Sequence, residues 1–219
     1  MITVKDIKAN PLINTFIEKG NQHLGVMGYT DHGYYHLNLV SEVSRKIIEK
    51  LGYSERMAEL AAIAGYMHDI GNVINRHVHS QGGALIAMEI LRRMNADPAE
   101  IAIICSSIGN HDEINGQPVN EVAAALILAD KSHVHRDRVR NTDFATFDIH
   151  DRVNYAAEHS ILEINAQQKS IIMDLKINTC ICPVMDYFEI FLSRMLMCRR
   201  AANFLGCEFE LVINGAKLL

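Results

Sequence analysis

Several apolar helical stripes in this chain end in a histidine or an aspartate, and a buried ionisable group narrows the folds open to a sequence more than any other feature. The stretch GYMHDIGN closes a stripe of Met57, Ala61 and Ala64 with His68, and Asp69 follows at once. Gly71 stands where it would stop the helix. His36 heads a stripe continued by Leu39, Val40, Val43 and Ile47. His111 extends Ile101, Ile104 and Ile108, and Asp130 extends Ala123, Leu126 and Ile127. His79 stands just before a helix and lines up with Gly82, Gly83, Ile86 and Ile90. Residues three and four apart share one face of a helix, so all of these groups are expected to point inward.

A single buried histidine or aspartate is satisfied by a hydrogen bond or an arginine. Two carboxylates and four imidazoles brought to one spot are different, because burying them together requires positive charge to balance them. Imidazole and carboxylate without thiolate suit iron, manganese, cobalt, nickel or zinc. Six protein ligands exceed what one tetrahedral catalytic ion takes. They suit two divalent ions bridged by a carboxylate, for which Asp69, beside His68, is the expected choice. The chain carries 11 histidines in 219 residues, an excess that points the same way.

Helices are expected from the proline after Asn10 onward and through about 34–51, 54–70, 80–95, 98–110 and 119–140. Near residue 158 the period changes. SIIMDLKI alternates, HSILEIN is its expected hairpin partner, a helix spans about 183–205, and CEFELVI alternates again. The fold class read from this is mainly α. A helical body over 1–157 carries a small α+β extension over 158–219, an antiparallel sheet plus one long helix. That extension shows no clustered chemistry and is read as structural or self-associating, with a homodimer through the last helix or an edge strand. A formal charge of −5 argues against general nucleic-acid binding. No transmembrane helix is expected, and five cysteines without a disulfide framework, together with the lack of a secretory signal, are read as cytoplasmic.

The order His36, His68-Asp69, His79, His111 and Asp130 resembles the HD superfamily of metal-dependent phosphohydrolases, over about residues 30 to 140. His79 and His111 are similar to the additional ligands of its two-metal branch, which includes the HD-GYP phosphodiesterases and the diiron HD oxygenases. Asn72 stands where HD-GYP proteins carry lysine, Asn110-His111 replaces their paired histidines, and HDEINGQPV lacks GYP. These departures argue against a cyclic dinucleotide. The resemblance implies a helical HD bundle that hydrolyses a phosphate ester or phosphoanhydride of a small phosphorylated, nucleotide-like or other substrate, by a hydroxide held on the metal. The same ligands would serve a diiron oxygenase acting on a polyol or phosphonate. A metal-stabilised scaffold is the non-enzymatic alternative.

After Asp130 comes KSHVHRDRVR, a basic run in an acidic chain. If the helix continues, Lys131, His135 and Arg138 share a face. Lys131, Arg136 and Arg138 are the expected phosphate clamp, with Arg76 from the preceding loop. His135 or Glu113 is expected to deliver a proton to the leaving group. His32 and His77 are read as loop histidines that could stand in as ligands.

Overall fold

The computed structural model describes all 219 residues. Helix starts follow side chains that satisfy orphan amides, each worth about 1 kcal/mol. Asn10 accepts from the Leu12 and Ile13 amides and opens α2 (Pro11–Val26) behind a short α1 (Val4–Lys8). Ser54 opens α4 (Glu55–Met67), Asp97 opens α6 (Pro98–Gly109) and Asn120 opens α7 (Glu121–Lys131) in the same way. Helices α3 (Tyr34–Lys50) and α5 (His79–Arg93) begin without a side-chain cap.

The bundle is arranged about α7, whose residues Val122 to Ala129 are all fully buried. A helix apolar on every side belongs in a core rather than on a surface, and α3, α4 and α6 surround this one. Gly65 lets α4 approach α3 closely, since a Cβ there would come within 2.8 Å of the Ser41 Cα. That approach sets His36 and His68, near the adjoining ends of the two helices, side by side.

Beyond α8 (Ile149–Ala156), β1 (Ala157–Asn165) and β2 (Ser170–Ile177) form the expected hairpin, with Leu162 opposite Met173. The chain then runs through α9 (Val184–Phe204) to β3 (Glu208–Ile213) and β4 (Ala216–Lys217). The sheet order is β1-β2-β3-β4. The antiparallel expectation is corrected for one pair, because β3 joins β2 in parallel. A strand that returns through a helical crossover arrives in the same direction as the one it left. Helix α9 packs on α7, and one continuous apolar core runs from Ile7 to Ile213. No helix is long and apolar enough to cross a membrane.

A second correction concerns residues 119–140. Helix α7 ends at Lys131, and the only later helical turn there is a short 3-10 segment, Arg136–Arg138. Tertiary hydrogen bonds hold this stretch instead, with the Asp31 amide donating to the Arg138 carbonyl at 2.7 Å. Lys131, His135 and Arg138 therefore share no helix face.

Candidate metal centre

Asp69 sits between two pairs of histidines. On one side its Oδ2 lies 3.3 Å from His68 Nε2 and 3.7 Å from His36 Nε2, with those two nitrogens 3.3 Å apart. Asp130 closes this group, its Oδ1 being 3.3 Å from His36 Nε2 and 3.6 Å from His68 Nε2. On the other side Asp69 Oδ1 lies 3.6 Å from His79 Nε2 and 4.0 Å from His111 Nε2. Those two nitrogens are 3.1 Å apart. All four rings are buried, and they come from α3, the end of α4, the start of α5 and the turn after α6.

The far side of each ring is already committed. His68 donates from Nδ1 to the Gly65 carbonyl at 2.8 Å, His79 to Arg76 at 2.7 Å and His111 to Ile108 at 2.6 Å. A carbonyl only accepts, so in each neutral ring the proton is on Nδ1 and the Nε2 lone pair faces the centre. His36 Nδ1 instead meets His133 Nδ1 at 2.9 Å. His133, which the sequence reading left without a role, thus orients a site histidine through its ring. No helical period covers it, because it lies on the turn after α7.

Facing lone pairs about 3 Å apart call for a cation between them. Two nitrogens each about 2.1 Å from one ion lie at that separation. In each of two triads that share His68, His36/His68/Asp130 and His68/Asp69/His111, the donor atoms lie within 4.8 Å of one another and could hold a metal. Asp112 adds a carboxylate 3.7 Å from His79 Nε2, and a second His-Asp doublet, His111-Asp112, was its signal in the sequence.

The electrostatics make the same demand. Burial opposes charge on His68, yet Asp69 and Asp130 outweigh it and raise its pKa to about 10. A proton thereby takes a cation's place. Burial, reinforced by Arg138, pushes His36 down to about 4 and His133 to about 2. Burial would raise Asp69 and Asp130, but His68 and the nearby cations hold both well below the ordinary carboxylate range. For His36 and His133 the unfolded chain takes up protons below about 6.5 and the folded chain does not, so stability falls with pH there. His68 is charged in the folded state throughout and becomes charged in the unfolded chain below about 6.5, so it offsets them only at the top of that window. Metal-free protein is expected to melt progressively lower as pH drops from 6.5 to about 4, checked by thermal scans in chelator. A flat melting temperature across that range would contradict it.

Residues 33–135 match the HD domain family. That match covers 103 of the 219 residues and contains all six expected metal donors. An uncharacterized protein of Methanocaldococcus jannaschii is 28% identical over 100 residues, an alignment covering 39% of this chain and 39% of that protein. No solved structure matches the chain.

The matched stretch opens onto a cavity of about 380 Å³. Asp69, His79, His111 and Asp130 line it, with Lys131, Arg138, Arg76 and His32. Lys131 is buried between Asp130 Oδ2 at 2.8 Å and Glu113 Oε2 at 2.7 Å. Arg138, 6% exposed, donates to the Asp31 and His133 carbonyls at 3.1 and 2.9 Å and pairs with no carboxylate. Its second terminal nitrogen has no protein partner.

The other expected site residues lie elsewhere. Arg136 lies over the Tyr155 ring and reaches Glu158 at 3.6 Å, away from the cavity wall. His135 turns to Asp137, and His77 is exposed. Glu113 is held by Lys131 and by Arg194 Nε at 2.8 Å. Burial pushes its pKa up, but those two cations outweigh it and keep the carboxylate ionised, without a proton to deliver. Residues 33–135 do not build the cavity alone. Arg194 and Phe191 of α9 line it, as do Asp148, His150, Asp151 and Asn154 at α8, so the extension beyond residue 158 carries part of the site.

Proposed function

We propose that this chain hydrolyses a phosphate ester or anhydride of a small molecule, with two divalent metal ions held by His36, His68, Asp69, His79, His111 and Asp130. The observation that carries this reading is the placement of Asp69 between two pairs of inward-facing histidine lone pairs, beside a cavity with an unpartnered guanidinium edge. Divalent ions at such donors bind phosphoryl oxygens and lower the pKa of water. The residues do the rest. Arg138 and Arg76 bind the phosphoryl oxygens not taken by metal, and the carbonyls of Gly65, Arg76 and Ile108 fix the imidazoles so that they need no reorientation. His32 donates from Nδ1 to the Thr30 carbonyl at 2.7 Å, which leaves Nε2 of the neutral ring as a proton acceptor on the cavity wall.

The test combines metal analysis of protein purified without chelator with phosphate release from a panel of monoesters and anhydrides. Two ions per chain and phosphate release are expected. Full metal occupancy without release from any phosphoester would refute hydrolysis, and dioxygen consumption by an iron-loaded form would replace it with the oxygenase.

Arg138→Lys provides a second test. Lysine keeps the charge but cannot hold both carbonyls and a ligand at once. Orthophosphate affinity, measured by calorimetry, is expected to fall about tenfold, the equivalent of about 1.4 kcal/mol. Unchanged affinity would remove Arg138 from the phosphate site.

A further inference from the structure

We propose that the cavity is shaped for the phosphate ester of a sugar or other polyol rather than for a nucleotide, with α8 reading the hydroxyl groups. The phosphate end of this assignment rests on the hydrolase reading above. The other end rests on different residues, which lie outside residues 33–135.

The cavity wall divides by chemistry. Metal donors and the cations Arg76, Lys131, Arg138 and Arg194 make one part, and Asp148, Asp151 and Asn154 make another. Asn154 is 5% exposed and donates its amide to the His150 carbonyl at 2.9 Å, which leaves its own side-chain oxygen without a donor. Asp151 meets only the Asn141 amide at 3.4 Å, while the exposed Asp148 caps α8 by accepting from the Asp151 amide at 2.8 Å, and neither carboxylate is paired with a cation. An acceptor on a cavity wall that no protein group donates to is satisfied by water or by the donors of a ligand. Hydroxyl groups are such donors. A phosphate, which only accepts, belongs at the other part of the wall, beside the free edge of Arg138.

A nucleobase finds no platform. Only three of the 18 lining residues are hydrophobic. Phe191 is 1% exposed and has the Arg194 guanidinium 4.5 Å above its ring. Tyr29 has Arg76 over one face at 5.8 Å. Bases are generally held by stacking on open aromatic faces, and here arginines already cover Phe191 and one face of Tyr29. The volume of about 380 Å³ also sits low among ligand pockets, which span about 300–1,000 Å³.

Calorimetry on the metal-loaded chain with ribose 5-phosphate and adenosine 5′-phosphate isolates the base, since the two share a sugar and a phosphate. Ribose 5-phosphate is expected to bind at least tenfold more tightly. Asp151→Ala is expected to weaken ribose 5-phosphate about tenfold and to leave orthophosphate within twofold, and circular dichroism confirms its fold. Asp151→Asn, which keeps an acceptor oxygen, should fall between. Equal or tighter binding of adenosine 5′-phosphate overturns the proposal. So does tighter binding of phosphoethanolamine, which would assign the acidic wall to an amine, or no binding of ribose 5-phosphate at millimolar concentration. Preferential binding of ribose 5-phosphate without phosphate release would sink the hydrolase reading alone.

Discussion

Asp69→Ala is expected to empty both metal positions. Its two oxygens face different histidine pairs, Oδ2 toward His36 and His68 and Oδ1 toward His79 and His111. One substitution therefore takes a charged donor from each position. It also leaves Asp130 as the only remaining aspartate of the six against four imidazoles. Losing an outer hydrogen-bond partner of a ligand typically costs about 10–100-fold in metal affinity, and losing a shared ligand should cost more. Activity should fall by at least about a thousandfold, since even one preorganised donor at a reacting centre is worth about 10²–10³. His79→Ala is the contrast. It withdraws one donor from the His111 side alone and is expected to release a single ion. Metal content by mass spectrometry decides. Two ions retained in Asp69→Ala would show that this carboxylate bridges nothing.

Gly71→Ala should cost about 3 kcal/mol or more, the upper range for overpacking a core. The glycine does not cap α4, which ends four residues earlier at Met67. Its backbone instead lies against the first turns of α5, where a Cβ would meet the His79 carbonyl oxygen and the Gly83 nitrogen. Both are backbone atoms and cannot swing aside as a side chain does. The strand of backbone carrying His68-Asp69 and the helix carrying His79 would be forced apart. In a chain of this size that cost lowers the melting temperature by about 6–12 °C, measured in chelator so that lost metal does not contribute. Gly82→Ala is the control. Its nearest neighbour is a side-chain carbon at 3.6 Å, and alanine is favoured over glycine in a helix by about 0.8–1.0 kcal/mol. Equal melting temperatures for the two variants would mean that α5 does not depend on that close approach.

The parts of the centre that periodicity reaches are the parts legible in the sequence. His36, His68, His111 and Asp130 each continue an apolar stripe, and a helix that buries its stripe must carry the next residue on that face inward. His79 lines up with the stripe of the helix it precedes, and Asp69 follows His68 by adjacency. The turn after α7 is different. Nothing in the residue order of KSHVHRDRVR says that His133 meets His36, that Arg138 turns in or that Arg136 turns away. Those directions are set by backbone bonds to the loop around Asp31. Arg194 and Asn154 were illegible for a related reason. They sit on helices with ordinary amphipathic patterns, and only the docking of α9 on α7 brings the arginine to the cavity. The parallel entry of β3 likewise depends on the crossover rather than on its own alternating pattern.

The pairing of Glu113 with both Lys131 and Arg194 has a consequence for how the protein comes into being. Synthesis runs from the amino terminus, and every expected metal donor leaves the ribosome before α9 does. Until α9 docks, Glu113 has Lys131 but not Arg194, and Lys131 in turn braces Asp130. The full electrostatic frame of the centre thus exists only after α9 has been made and has docked. A metal ion captured by residues 33–135 alone would meet a more open, differently charged site. Completion of the centre thus waits on a helix that contributes no donor to it.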